Sequence, residues 1–219
     1  MEVIIPTRND YTCLGNICES LSLLKIITKI HVVNNGSNHE IAQIIKKICK
    51  DVSKCIYYEC PVTGKGAAIS MALCRTLEDV LFVDADIIGF NLEMVTSLFD
   101  PLSKGYDLVK AKFTRSNGQS NSSFVLDELR KRFPALSICK PTGGIYCASR
   151  RVIQDLTLPK SWSVDLSILL QAHKKGFAIT EVNIGIVRDK VRTDESLEFS
   201  KECLLEEVKK FSEVSNAGN

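Results

Sequence analysis

Short apolar runs alternate with longer amphipathic stretches along the first half of the chain. Runs rich in β-branched and aromatic residues predict strands over Val3–Ile5, Ile30–Val33, Ile56–Tyr58 and Val80–Val83. Between the strands, apolar residues at helical spacing predict helices over about Cys13–Leu24, Glu40–Cys49 and Ala67–Leu77. This alternation predicts an α/β fold with a doubly wound, mostly parallel sheet that is covered by helices on both faces.

The rhythm of the pattern changes after about Leu102. Strands are predicted over Leu108–Phe113 and Ile145–Cys147, and Ala178–Val187 is predicted to form one or two more. Amphipathic periodicity predicts helices over Phe124–Arg132, Trp162–His173 and about Glu195–Val214. Because the sequence contains no linker and no internal repeat, we expect one domain over residues 1–219.

Composition fits a globular protein. Hydrophobic residues make up 45% of the 219 residues and charged residues 25%, which is enough apolar material for a buried core in a domain of this length. The formal net charge is +2, and the basic residues are scattered along the chain. Since the sequence has no basic stripe interleaved with aromatic residues, we do not expect nucleic-acid binding.

The sequence carries no signal for secretion or membrane insertion. Met1–Pro6 lacks the regions of a signal peptide, and no stretch approaches the roughly 20 apolar residues that span a bilayer. The nine cysteines include no C-x-x-C pair, and several lie in apolar periodic runs, where a reduced thiol packs as a small hydrophobe. We therefore expect a cytoplasmic protein with buried thiols, no transmembrane segment and no zinc site.

Polar clusters follow the predicted strands at the points where ligands bind in open α/β sheets. Thr7–Asp10 follows the first strand, Asn34–Ser37 the second and Asp84–Asp86 the fourth. Gly64–Gly66 opens a helix, where free amides and the helix dipole suit an anion. Together the clusters fit a base, a ribose, a diphosphate and a cation.

Asp84 and Asp86 are candidates for a metal site. Both follow a continuous apolar strand, and two carboxylates so close together need a cation or a basic group to neutralise them. An oxygen-ligand site for Mg²⁺ or Mn²⁺ fits this requirement. The alternative is that one aspartate caps a helix beginning near Asn91 while the other is solvated. The preceding strand and the other polar clusters favour the metal site.

Other nucleotide-binding classes fit the sequence less well. Gly64-Lys65-Gly66 is not a Walker loop, because no Ser or Thr follows Lys65, and on its own it is equally compatible with a turn that carries a surface lysine. Pro6–Asp10 has no glycine with which to hold a triphosphate, which counts against a nucleotidyltransferase. No G-x-G-x-x-G follows any predicted strand, which counts against a dehydrogenase.

The motifs occur in the order and spacing of the GT-A glycosyltransferases, whose Rossmann-like fold the chain resembles. The first four are Ile4–Asp10, Val32–Ser37, Gly64–Ala68 and Val83–Asp86. The second half is most similar to the glucosyl-3-phosphoglycerate synthases, through Asp107–Phe113, Pro141–Tyr146, Ser163–Leu170 and Glu181–Gly185. The resemblance implies a nucleotide-sugar-binding half at about 1–102 and a C-terminal acceptor-binding half at about 103–219.

The resemblance also implies an activity: transfer of a hexosyl unit from a donor of the UDP-glucose or GDP-mannose type to a small anionic acceptor, with retention. By position, Thr7 and Asn35 would contact the base, Asp10 the ribose, and Lys65 the diphosphate or donor sugar. Asp165 stands where that family has a glutamate facing the sugar, and Asp165 and Lys65 are the catalytic candidates. The predicted donor-binding set is Pro6, Thr7, Arg8, Asp10, Asn35, Ser37, Lys65, Asp84, Ala85 and Asp86.

The predicted metal ligands and acceptor-binding residues follow from the same resemblance. Asp84 and Asp86 would serve ribose and metal, with Asp86 the direct ligand of Mg²⁺ or Mn²⁺. Asp189 stands near the place of a family histidine ligand, and it is equally compatible with a surface charge. The predicted acceptor-binding residues are Lys112, Arg115, Gly143 and Gly144.

Two other functions remain open at this stage. Glu181–Asp189, followed by Glu195-Ser196-Leu197, also resembles the end of polyprenol-phosphate glycosyltransferases, and an inverting reaction of that type would need Asp165 as general base. The missing family histidine leaves open a non-catalytic protein that binds nucleotide sugars. The expected partners are a nucleoside diphosphate sugar and a small-molecule acceptor, and a homodimer is the assembly left open.

Overall fold

A computed structural model of the protein describes residues 1–116, 123–188 and 194–216. The strands are β1 (Glu2–Thr7), β2 (Lys29–Asn34), β3 (Cys55–Glu59), β4 (Val80–Phe82), β5 (Leu108–Arg115), β6 (Tyr146–Ala148) and β7 (Ile179–Val187). The helices are α1 (Leu14–Ser22), α2 (His39–Asp51), α3 (Lys65–Leu73), α4 (Glu93–Thr96), α5 (Phe99–Ser103), α6 (Ser123–Arg132), α7 (Arg150–Ile153), α8 (Val164–Lys174) and α9 (Asp194–Asn216).

The strands of the described residues form a seven-stranded sheet in the order β3-β2-β1-β4-β6-β5-β7. All neighbours pair in parallel except β6, which runs antiparallel to both β4 and β5. The predicted mostly parallel sheet is therefore confirmed. Because β6 lies between β4 and β5, strands from both halves of the chain belong to the same sheet.

Alternate residues of β1 point to opposite faces of the sheet, as expected for a strand. Val3 and Ile5 are buried in one hydrophobic cluster with residues of α1 and α2, including Ile17 and Ile45. Ile4 is buried in a second cluster with residues of α3 and α8, including Ile69 and Leu169. Helices therefore cover both faces of the sheet, which leaves the ends of the strands for ligands.

Most predicted elements are present, with shifted ends. α3 begins at Lys65, two residues before the predicted start, and ends at Leu73 instead of Leu77. The segment that follows is a turn in which the Arg75 amide donates to Ala72 O (2.8 Å). Ala178–Val187 contributes one strand, β7, and the short helices α4, α5 and α7 were not predicted because four or five residues are too few to show a helical period.

The nine cysteines are all free thiols, and several are buried as predicted, including Cys18, Cys49 and Cys147. In the parts of the chain that the structure describes, no helix is long and apolar enough to cross a membrane.

Candidate active site

The polar segments that follow β1, β2 and β4 meet at one edge of the sheet, together with the start of α3. They line an open pocket with a cavity volume of about 130 Å³, at the edge of the sheet where ligands bind in open α/β folds. Every predicted donor-binding residue except Ser37 lines it; the lining residues are Pro6, Thr7, Arg8, Asp10, Asn35, Gly64, Lys65, Asp84, Ala85, Asp86 and Trp162.

Asn35 and Ser37 hold the loops of this pocket together. The Asn35 side chain donates to Val62 O (2.7 Å) and accepts from the Gly64 amide (2.6 Å). Its own amide donates to Thr7 O (2.8 Å). Ser37 Oγ accepts from the Asn9 amide (2.8 Å) and so joins the segments after β1 and β2. Both side chains therefore fix the shape of the pocket wall.

The amides of Gly64, Gly66 and Ala67 donate to protein groups, so the prediction of free amides was wrong for these three residues. The Gly66 amide donates to Lys160 O (3.1 Å) and Ser161 O (3.2 Å), and the Ala67 amide also reaches Lys160 O (3.3 Å). A Cβ at Gly64 would overlap the carbonyl of Lys160, and one at Gly66 would overlap that of Pro159. Glycine is required here because another stretch of backbone occupies the start of α3.

Lys65 lies between two carboxylates and is buried, so the alternative of a surface lysine was wrong. Its Nζ is 2.7 Å from Asp84 Oδ1 and 2.7 Å from Asp165 Oδ2. Burial alone would lower the pKa of Lys65, but the charges and hydrogen bonds of Asp165 and Asp84 raise it above its ordinary value. Lys65 is therefore a fixed positive charge beside this pocket.

Asp165 is in the first turn of α8 and is 4% exposed. Its Oδ2 accepts from Lys65, and its Oδ1 accepts from the Tyr146 hydroxyl at 3.0 Å. Burial and the nearby Asp165 carboxylate hold the pKa of Tyr146 well above its usual range, so the phenol stays protonated and acts as the donor. Both oxygens of Asp165 are thus held by buried donors.

Asp84 follows β4, and its side chain is half-buried at 28% exposure. Gly144 packs directly against its carboxylate, and a Cβ at position 144 would overlap all three atoms of that group. At Gly143 a Cβ would approach the Phe113 ring at 3.3 Å. Both glycines were predicted to let backbone approach an acceptor; the structure shows that Gly144 also makes room for Asp84.

The capping alternative for Asp84 and Asp86 is not what the structure shows. At the start of α4, the Met94 amide donates to the side chain of Asn91 (3.2 Å). Asp86 lines the pocket with Asp84, as the metal-site prediction requires. Among the described residues, no group of three or more His, Cys, Asp or Glu side chains is arranged so that it could hold a metal ion, and Asp189 lies outside the described residues.

A match to a family model agrees with the sheet, the pocket and the paired carboxylates described above. The model of glycosyl transferase family 2 matches residues 2–157, more than half of the chain. The chain belongs to this family.

Among curated relatives, glucosyl-3-phosphoglycerate synthase of Mycobacterium tuberculosis (strain CDC 1551 / Oshkosh) is 25% identical over 214 residues, which cover 85% of this chain and 65% of the relative. The same enzyme of Mycolicibacterium paratuberculosis is 24% identical over 214 residues, covering 85% of this chain and 64% of the relative. The chain therefore spans slightly less than two thirds of the length of these relatives.

Solved structures confirm the fold of this family 2 chain. A crystal structure of the M. tuberculosis synthase with Mn²⁺, uridine-diphosphate-glucose and phosphoglyceric acid superposes with a TM-score of 0.86 at 22% identity. The matched region covers 96% of this chain and 79% of that one. A second crystal structure, of a mycobacterial protein, has a TM-score of 0.87 at 22% identity, with 96% and 74% covered.

A second, smaller pocket of this family 2 chain adjoins the first. It shares Lys65, Asp84 and Trp162 with the first pocket. Its lining residues are Lys65, Asp84, Arg115, Thr142, Trp162, Asp165, Ser200 and Leu204. The predicted acceptor residue Arg115 therefore lies beside Lys65 and Asp165. Lys112 is exposed on β5 and does not line either of these two pockets.

Sequence reasoning missed Trp162, Ser200 and Leu204. Trp162 is the single tryptophan of the chain and directly precedes α8, which was a usable signal. Ser200 and Leu204 come from α9 and carry no local signal. α9 is held near the start of α8, where the Ser163 hydroxyl donates to the buried Glu207 (3.3 Å).

Lys110 was also missed, although a lysine within an apolar strand is unusual. It is fully buried on β5, donates to Gly143 O (2.7 Å) and lies 4.0 Å from the ring centre of Tyr146. Burial lowers the pKa of Lys110 to about 8, although the charge of Asp165 opposes the shift.

Proposed function

We propose that this chain transfers a hexosyl unit from a nucleoside diphosphate sugar to a small anionic acceptor, such as a phosphoglycerate-like molecule. The observation that carries the proposal is the position of Lys65. It is fixed between Asp84 and Asp165 and lines both pockets. A cation held where two pockets meet is well placed to stabilise charge that develops during transfer between them.

The donor is of the UDP-glucose or GDP-mannose type. Its nucleotide occupies the pocket that contains Thr7, Asp10 and Asn35, with Thr7 and Asn35 toward the base and Asp10 toward the ribose. The solved synthase that holds uridine-diphosphate-glucose and Mn²⁺ has the same fold, which supports this assignment.

Asp86 and Asp84 hold Mg²⁺ or Mn²⁺, with Asp86 as the direct ligand and Asp189 as a further candidate. Two carboxylates suit such a cation because Mg²⁺ usually keeps waters and substrate phosphates as its other ligands. When bound, the cation acts as a Lewis acid toward the leaving diphosphate. Lys65 contributes a second positive charge on the same side, and it holds the carboxylate of Asp84 in place.

Asp165 orients the donor sugar, and the reaction proceeds with retention. An inverting reaction would need this carboxylate to accept a proton from the acceptor. Its two oxygens already accept hydrogen bonds from Lys65 and Tyr146, which favours a role in orientation. Lys65 and Asp165 are the proposed catalytic residues.

The acceptor binds in the smaller pocket. Arg115 supplies a positive charge there, which suits a phosphate or carboxylate. Gly143 and Gly144 follow Thr142, which lines this pocket, and their contact with the acceptor stays a prediction. The acceptor role of Lys112 stays a prediction, since its exposed side chain lies outside the lining of this pocket.

The test is an assay of the purified protein with UDP-glucose and GDP-mannose, each with Mn²⁺, Mg²⁺ or a chelator. We expect metal-dependent donor hydrolysis, and glycosyl transfer when 3-phosphoglycerate is added. Transfer to a short-chain polyprenyl phosphate in detergent, with none to 3-phosphoglycerate, would favour the inverting alternative. Metal-dependent nucleotide binding without turnover of any donor would favour a non-catalytic binding protein.

A further inference from the structure

Two chains of contacts start at the buried Lys110 and meet at Asp84, so that together they form a closed ring. One arm runs from Lys110 through the loop that contains Gly143 and Gly144. The other runs from Lys110 through Tyr146, Asp165 and Lys65. Both arms end at the carboxylate of Asp84, which lines both pockets.

The first arm fixes the backbone beside Asp84. Lys110 Nζ donates to Gly143 O at 2.7 Å, with both groups buried. Gly144 follows and packs so tightly against the Asp84 carboxylate that no Cβ fits between them. A displacement of this loop toward β4 would therefore move the carboxylate, and a displacement away would leave a gap.

The second arm fixes the ammonium of Lys65. The charge of Lys110 lies 4.0 Å from the ring centre of Tyr146, within the range of a cation–π interaction. The same ring stacks on Phe82 at 4.4 Å, so the phenol is held on two sides. Its hydroxyl donates to Asp165 (3.0 Å), and Asp165 accepts from Lys65 (2.7 Å).

Folding alone does not explain a lysine at position 110. A buried ammonium is costly unless it is paired, and Lys110 bonds to a neutral carbonyl and faces an aromatic ring. The neighbours Leu108, Val109 and Ala111 are buried hydrophobic residues, so a hydrophobic side chain would suit the strand. A methionine would fill the same space without the cost of burying the charge.

We propose that Lys110 is a positioning residue that aligns Asp84 and Lys65 through its contacts with Gly143 and Tyr146. This inference rests on the proposed glycosyl transfer, because it concerns the residues that carry that reaction. The charge of Lys110 acts at a distance from the donor and the acceptor, through the two arms of the ring. Because Asp84 and Lys65 line both pockets, it governs donor binding as well as turnover.

The test compares Lys110→Met with Lys46→Met, a matched change at an exposed lysine of α2. With the donor that the wild-type protein turns over, we expect Lys110→Met to lower kcat at least tenfold and to raise KM for the donor, because Asp84 and Lys65 both line the first pocket. Lys46→Met should change neither. A purely structural role would instead lower the amount of folded protein and leave kcat per folded molecule unchanged.

Tyr146→Phe separates the two arms, because it removes only the hydroxyl that holds Asp165. If Lys110 acts through Tyr146, the double variant Lys110→Met/Tyr146→Phe loses less than the product of the two single losses. Multiplicative losses would overturn the second arm. Equal kcat for Lys110→Met and the wild type would overturn the proposal as a whole.

Crystal structures of the metal-free wild type and Lys110→Met test the ring without any assay. The Lys65–Asp84 contact of 2.7 Å should persist in the wild type and lengthen or break in the variant. If it is unchanged, the proposal is wrong even if the chain is an active glycosyltransferase. Conversely, a wild type without turnover would contradict the proposed function, while these structures would still decide the role of Lys110.

Discussion

Gly144 lies so close to Asp84 that a side chain at position 144 would occupy the space of the carboxylate. Gly144→Ala should therefore displace Asp84 and weaken Mn²⁺-dependent binding of UDP at least tenfold, measured by calorimetry. Gly15→Ala is the matched control, because nothing lies within 4 Å of the Cβ that it adds on α1. It should keep UDP binding and raise the free energy of unfolding by up to about 1 kcal/mol. Equal UDP affinities for the two variants would contradict the prediction.

Lys65→Met should lower both activity and stability. Removing the ammonium leaves the buried Asp165 uncompensated, which costs on the order of 3 kcal/mol of unfolding free energy, and turnover should fall about 100-fold. Lys104→Met removes an exposed lysine that is paired with Asp100, and it should change stability by less than about 0.5 kcal/mol. Adding Asp165→Asn to Lys65→Met should recover stability but not turnover, as urea unfolding and donor hydrolysis would reveal.

Asp86→Ala should abolish the metal-dependent part of UDP binding, because Asp86 is the proposed direct ligand. The measurement is the UDP affinity with Mn²⁺ and with a chelator, and the two values should become equal in the variant. Asp100→Ala, at an exposed aspartate of α5, should preserve the difference. Unchanged Mn²⁺-dependent affinity in Asp86→Ala would contradict the metal assignment.

The stability of the protein should depend on pH through Lys110. Its pKa is about 8 in the folded protein and about 10.4 in an unfolded chain. Between these values the unfolded chain binds more protons, so the free energy of unfolding rises with pH. In metal-free buffer, the wild type should gain about 2 kcal/mol relative to Lys110→Met between pH 7 and pH 10. If the free energy of unfolding changes with pH in the same way in both proteins, Lys110 is not a buried charge.

Arg115→Ala should raise KM for 3-phosphoglycerate at least tenfold and KM for the donor much less, because Arg115 lines the smaller pocket. Arg130→Ala, at an exposed arginine of α6, is the control and should leave both constants unchanged. Lys112→Ala belongs in the same series. A comparable rise in KM for the acceptor would confirm its predicted role, and no rise would remove it from the site.

The sequence predicted most residues that line the larger pocket, because they follow strands that have strong local signals. Val80–Val83 is apolar throughout, so the position of Asp84 and Asp86 at the end of a buried strand could be predicted. The burial of Lys65 could not be predicted, because it depends on a contact with Asp165, one hundred residues further along the chain. No local pattern could indicate that contact.

The errors in the sequence prediction have the same physical origin. The helix start at Gly64–Gly66 suggested free amides, but the backbone of Lys160 and Ser161 occupies them. Ser200 and Leu204 reach the smaller pocket only because α9 folds back against α8. Helical periodicity predicts that such a helix exists, but it does not predict which element the helix packs against.

Of these two pockets, only the smaller one is lined by described residues of α9. The donor residues from Pro6 to Asp86 all lie within the segment that matches the family model, whereas Ser200 and Leu204 lie beyond its end at residue 157. Substitutions on one face of α9 can therefore reshape the smaller pocket while the nucleotide contacts stay intact. Under the proposed function, α9 is where a preference for other acceptors could be selected or engineered.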